Sequence, residues 1–270
     1  MKNITILIVS LVAAAFISIL LYLDDDIISE SAGLEWKYKG RERNSRLLAV
    51  PILLYHNING RGPFSINAVT LRRHFQLIKD RGIRVISLKE LDRRLGNPEP
   101  SDERAVTITF DDGYYSMYSL LAPLAREYNY PITLFIHCDA IARVASKILT
   151  WDRLRMMEGQ GLDIQAHSLS HIDLTKLSRK NDPDSRRRLF EEVYLSKRII
   201  ELYMHKKINY FAFPYGRYDF ALIEMAYNAG YSRVFSTDYG SNIITRDNFC
   251  LRRSHIKSGY SLQHIDDLIK

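Results

Sequence analysis

The stretch Ala105–Tyr115, AVTITFDDGYY, decides the reading of this chain. Its first six residues are apolar or β-branched without a polar break, the pattern of a strand buried on both faces of a parallel sheet. The run ends on two adjacent carboxylates, Asp111 and Asp112, and then Gly113. Like charges this close repel unless a cation lies between them or one takes up a proton. Along a regular strand the two would point to opposite faces, so both reach one site only where strand gives way to loop. Gly113 marks that turn. A divalent cation would relieve the repulsion, and imidazoles are its usual companions.

Short β-rich runs recur on either side: ILLY (52–55), RVIS (84–87), ITLFI (132–136), LDIQ (162–165), YFAF (210–213), RVFS (233–236) and LRRSHI (251–256). Segments of helical period lie between several of them. In TLRRHFQLIKDRG (70–82) Leu71, Phe75 and Ile78 share a face, and His74 is expected at the surface. SRRRLFEEVYLSKRIIELYM (185–204) repeats the pattern with Leu189, Val193, Ile200 and Met204, and DFALIEMAYNAG (219–230) ends at a glycine stop. Alternating strands and helices predict an α/β domain with a mainly parallel sheet. About eight strands suit a (β/α) barrel, an irregular one included, with a doubly wound open sheet as the alternative. No glycine-rich phosphate loop is present.

Several of these runs give way to polar or turn-forming residues: His56, Asp111 and Asp112, His137, His167, and Pro214-Tyr215-Gly216. In a β/α barrel such strand ends line the mouth where chemistry sits. AHSLSH supplies His167 and His171, spaced so that both reach one metal. One Asp with two His leaves positions open for water, as in catalytic zinc sites, and frees the second Asp as a general base. His137 and Cys138 read as packing or pocket wall.

Composition is that of a globular protein, 46% hydrophobic and 26% charged. The net charge of +7 suits an anionic partner such as a membrane surface or wall polymer, but the basic residues are scattered and nucleic acid is excluded as a partner. Cys138 and Cys250 lack CxxC spacing and read as buried free thiols, a single disulfide being the alternative. Ile4–Leu23 is a run of 20 uncharged residues, about 30 Å as a helix and long enough to span a bilayer. It is expected to be a transmembrane anchor (residues 1–23), with 24–48 a polar tether and 49–270 the catalytic domain outside the cytoplasm. Lys2 and Asp24–Asp26 support that orientation, whereas the basic residues between Lys37 and Arg46 argue mildly against it. A cleaved signal peptide, with secretion, is the rival reading.

TFDDGYYSMY, AHSLSH and FAFPYGRYD resemble the first three motifs of the polysaccharide deacetylases, the NodB-homology carbohydrate esterases. VPILLYHNI, SLKEL and NAGYSRVFST share the same layout, so the resemblance covers about residues 49–260. It implies a distorted (β/α) barrel and metal-dependent removal of N-acetyl groups from a polysaccharide. Asp111 would then be the catalytic base, with Asp112, His167 and His171 as ligands of a divalent metal, by default zinc. The Tyr215 backbone N–H would help hold the oxyanion, with Pro214 and Tyr215 beside the substrate. His56 matches the YH of a subgroup acting on poly-N-acetylglucosamine and would line the pocket.

Three departures stand out. Many members carry an arginine two residues before the third-motif proline, where this chain has Ala212. An Asp-Trp element is replaced by STDYGSN, and the last motif is only approximated by LRRSH. Strand parity puts Leu251, Arg253 and His255 on one face. On that basis Arg253 is expected to partner Asp111, and His255 to protonate the departing amine. The alternatives are an O-acetyl polysaccharide esterase and a glycan-binding barrel without catalysis. A phosphohydrolase is weaker, since no DxD nucleophile motif is present.

Overall fold

Strand β4, Ala105–Asp111, is buried along its whole length in the middle of a parallel sheet. The computed structural model describes residues 49–96, 103–142, 147–180, 182–243 and 249–270, within one compact unit, Ser45–Lys270. The expected anchor, and the tether to residue 48, lie outside the described residues. Among the described residues no helix is long and apolar enough to cross a membrane.

The remaining strands are β1 (Ala49–Val50), β2 (Ile52–Tyr55), β3 (Arg84–Val85), β5 (Ile132–Ile136), β6 (Asp163–Ala166), β7 (Tyr210–Ala212), β8 (Arg233–Phe235), β9 (Asn242–Ile243), β10 (Cys250–Leu251) and β11 (Ser254–His255). The main sheet runs β10-β8-β7-β6-β5-β4-β2-β11, with β3 also paired to β4, and its pairings are parallel. The edge strands β10 and β11 are neighbours in sequence, separated by Arg252 and Arg253 alone. The fold is a parallel-sheet α/β half-barrel.

Two apolar layers arise from the alternation of side chains along each strand. On the helix side, Leu53, Ile108, Leu134, Ile164, Phe211 and Val234 join one large core. On the other face Ile52, Phe135, Ala212, Phe235 and Leu251 form a second cluster. Thr107, Thr109 and Asp111 of β4 alternate with the helix-side residues and are buried as well.

Helix α1 (Ala68–Asp80) starts at Asn67, whose side chain accepts from Thr70 N, and it buries Leu71, Phe75 and Ile78. His74 is buried too, which corrects the surface expectation. It stands at i+3 from Leu71, inside the apolar stripe, and its Nδ1 lies 3.2 Å from the Tyr55 hydroxyl. The long helical run of 185–204 is interrupted. Its two helices, Pro183–Phe190 and Ser196–Met204, are joined by a π-helical turn, Glu191–Leu195. The wider turn leaves carbonyls to satisfy: Ser196 Oγ donates to Glu192 O at 2.6 Å, and the Tyr231 hydroxyl donates to Val193 O at 3.0 Å.

The run LRRSHI is two strands rather than one. β10 pairs with β8, β11 pairs with β2, and the backbone breaks register at Arg252 and Arg253. Cys138 and Cys250 are both free thiols; Cys138 is buried and Cys250 partly so.

Candidate active site

Strand alternation carries two reactive side chains to the same face. Asp111 ends the face begun by Thr107 and Thr109, and His167 continues that of Gln165. Asp112 escapes alternation because it is left-handed, at φ 82°, as is Gly113 at φ 75°. That turn swings the second carboxylate back towards the first. His167 Nε2 lies 3.7 Å from Asp111 Oδ2 and 3.6 Å from Asp112 Oδ1. His171 Nε2 is 3.3 Å from Asp112 Oδ1.

These spacings pass a test for a bound cation. Ligand atoms about 2.0–2.1 Å from a tetrahedral zinc stand about 3.3 Å apart. Asp112 Oδ1 is buried without a well-formed hydrogen bond, and the donors of Asp112, His167 and His171 all lie within 4.8 Å of one another. His167 Nδ1 sits 2.8 Å from the carbonyl of Ala212. A proton on Nδ1 satisfies that carbonyl and turns the Nε2 lone pair towards the carboxylates, the usual way a ligating imidazole is oriented.

His171 reaches the group through a loop, not a helix. Ser168 and His171 are left-handed at φ 70° and 59°, and His171 N donates to Ser168 Oγ at 2.9 Å. The ring of Tyr215 packs edge-on against His171 at 4.8 Å. Tyr215 belongs to the short turn Pro214–Gly216 and is itself left-handed, at φ 59°. Gly216 comes next at φ 66°, where a Cβ would fall 2.1 Å from Thr237 Oγ1, so only glycine fits. His137 lies 5.3 Å from the ring of His171, and the Cys138 thiol donates to Ser196 O at 3.7 Å.

Arg253 projects from the junction of the two edge strands and is fully buried. Its guanidinium donates to both oxygens of Asp111, each at 2.7 Å, and its Nε donates to Ser236 O at 3.1 Å. The rings of Phe135 and Phe235 flank it at 5.2 and 6.0 Å. A guanidinium thus braces Asp111 although Ala212 stands at the third-motif arginine position.

Burial raises the Asp111 carboxyl, but the charge of Arg253 overcomes it and holds the group below its ordinary value. For Asp112, burial likewise raises and the contact with His171 lowers, with a net lowering. Burial pushes His167 down to about 4, so it is a neutral donor at pH 7. His171 moves up, because Asp112 outweighs its burial.

The rings of His255 and His56 lie 5.1 Å apart, tilted at 38°, and Phe64 packs on His255 at 4.7 Å. Burial, reinforced by the charges of His56 and Arg253, lowers His255 to about 4. By register His255 pairs with Leu54, which in turn pairs with Thr109, so it lies on the inner face of Thr109 and Asp111 as strand parity expects; Leu251 and Arg253 are buried there and His255 is partly exposed.

Sequence reasoning missed Tyr114, Phe64, Ser168 and Glu192. Burial and the charge of Asp112 raise Tyr114 to about 12. Glu192 carried a readable signal: at i+3 from Leu189 and i−4 from Ser196 it occupies the apolar stripe, where a lone carboxylate requires partners.

Two buried histidines and one partly exposed histidine predict an acid limb of stability. His74, His167 and His255 are each lowered to about 4, against about 6.5 when unfolded. As pH falls below about 6.5 the unfolded chain takes up protons that the folded chain refuses, so stability drops, on the order of 3 kcal/mol per group by pH 4. His171, raised when folded, works in the opposite direction and offsets only part. Urea midpoints in chelator should fall between pH 7 and pH 4.5. A flat midpoint would show that these histidines are not held neutral.

Fold and site together define a class: an α/β half-barrel whose sheet edge gathers three side chains spaced as metal-ion donors beside a carboxylate held ionised. Residues 99–234, half of the chain, match the family model for polysaccharide deacetylase, and the chain belongs to that family. It is 25% identical over 212 residues to YxkH of Bacillus subtilis (strain 168), a protein named after the same family, covering 78% of this chain and 73% of that one. A shorter similarity, 27% over 81 residues, links 28% of this chain to 12% of the poly-beta-1,6-N-acetyl-D-glucosamine N-deacetylase of Escherichia coli (strain K12). Among solved structures, the Streptococcus pyogenes deacetylase PplD in complex with acetate superposes with a TM-score of 0.73 at 24% identity, over 83% of this chain and 99% of that one.

Proposed function

We propose that this chain removes acetyl groups from N-acetylhexosamine residues of an extracellular or cell-wall polysaccharide, releasing acetate. The observation that carries this reading is a buried carboxylate, Asp111, kept ionised by Arg253 at the edge of the Asp112, His167 and His171 donors. A divalent cation held by those three residues, zinc by default, would supply Lewis acidity to polarise the acetyl carbonyl and activate water. Asp111 accepts the proton of the attacking water. The left-handed Tyr215 turn offers its backbone N–H to the developing oxyanion. An open groove of about 600 Å³, lined by Thr175, Arg179, Tyr215, Arg217, Tyr218 and Asp238, adjoins this turn and suits an extended glycan. The outward placement of the domain, held by Ile4–Leu23, is part of the proposal and rests on that segment's sequence.

The amine leaving group needs a proton, and His255 is the donor we assign. At about 4 it is neutral at pH 7, so the proton that Asp111 takes from the attacking water must pass to it before the amine leaves. The same low value favours a second reading, an O-acetyl esterase, because an alkoxide leaves more readily than an amine. Acetate release from N-acetylglucosamine oligomers and from an O-acetylated glycan, with zinc supplied, separates the two. The expected result is release from the N-acetyl substrate, reduced about 10²- to 10⁴-fold by His255→Ala at unchanged metal content. Unchanged turnover would remove the acid role, and release from the O-acetylated glycan alone would replace the first reading by the second.

A further inference from the structure

The loop Ser168–His171 holds two residues in left-handed conformations, which non-glycine residues adopt only when their surroundings enforce it. The enforcing contacts come from the π-helical turn. Glu192 is fully buried. Its Oε2 accepts from Leu169 N at 3.0 Å and from Ser170 N at 2.9 Å. Its Oε1 accepts from the Ser170 hydroxyl and lies 3.0 Å from the Arg188 guanidinium, which also donates to Ser170 Oγ at 3.1 Å. One carboxylate therefore fixes two of the three backbone amides between the two histidines that belong to the cation-binding group.

We infer that Glu192 is a positioning residue that sets cation affinity by holding this loop. The inference rests on the reading of Asp112, His167 and His171 as a cation site. Glu192 does not approach the reacting atoms; it acts through the Leu169 and Ser170 amides on the placement of His171. Glu192 lies within the π turn, with Leu189 and Val193 buried beside it in the helix-side core.

The test is zinc affinity of the full chain, stripped of metal, in competition with a chromophoric chelator and well below the melting temperature. Glu192→Ala should weaken zinc binding about 10- to 100-fold, as loss of a residue that orients metal ligands typically does. Glu192→Gln keeps an acceptor for the two amides and should retain most of the wild-type affinity. Ile265→Ala, in the remote helix Leu262–Leu268, serves as a control for lost stability and should bind zinc normally. If Glu192→Ala does not fold, Glu192→Asp, whose shorter arm cannot reach both amides, carries the same expectation. Wild-type affinity in the tested variant would overturn the positioning role alone. No zinc binding by the wild type would overturn the cation site as well.

Discussion

Arg253→Met is expected to be the most destabilising single change at the site, by about 3–5 kcal/mol at neutral pH. Methionine fills similar volume between Phe135 and Phe235 but leaves Asp111 buried without its cation. The carboxyl then rises, because burial acts unopposed by the charge that now holds it down. In the wild type this depressed group contributes stability that is present above the unfolded value near 3.9 and is lost as pH falls through the folded value. In the variant the deficit should therefore be largest at neutral pH and should shrink as acid protonates Asp111. Urea unfolding across pH checks both statements. Adding Asp111→Asn to Arg253→Met should restore much of the loss, since a neutral pair needs no cation. A deficit independent of pH would point to packing rather than charge.

Asp111→Asn is expected to have the largest effect on turnover, a fall of about 10²- to 10⁴-fold, the usual range for losing a general base. Zinc binding should survive, because the carboxylate of Asp112, not that of Asp111, makes the close approach to both imidazoles. Stability should fall as well. An amide can accept only one of the two bonds Arg253 now gives, and its NH₂ group would face the other guanidinium nitrogen. The comparison therefore belongs at a temperature where the variant is folded.

Much of the fold was legible because buried strands of a parallel sheet read as continuous apolar runs. ILLY and ITLFI became β2 and β5 without change of boundary. The carboxylates of VTITFDD and His167 of AHSLSH were legible too, since they stand at the end of such a run, whereas His171 follows through a loop. The illegible parts depend on the backbone leaving its regular path. LRRSHI alternates like one strand, yet the sheet ends on both sides of Arg253, and only tertiary pairing reveals the break. The π turn at Glu191–Leu195 likewise has no period of its own in a sequence that reads as one helix. His74 is a lesson in stripes. Its polarity suggested the surface, but its i+3 position in an apolar face, with Tyr55 to meet it, decided burial.

The absent third-motif arginine suggested a barrel that had lost its chemistry. Arg253 changes that argument. A guanidinium from the far end of the chain reaches Asp111 with two-point geometry, and a protein that only bound glycan would have no use for so costly a buried pair.

The most direct test is a side-by-side assay of zinc content and acetate release by wild type and Asp111→Asn, each stripped with chelator and reloaded with zinc. The substrate is an N-acetylglucosamine oligomer. The account predicts one zinc per chain in both proteins, acetate from the wild type only after reloading, and almost none from Asp111→Asn. Acetate from the chelated wild type, or equal release by the two zinc-loaded proteins, would contradict it.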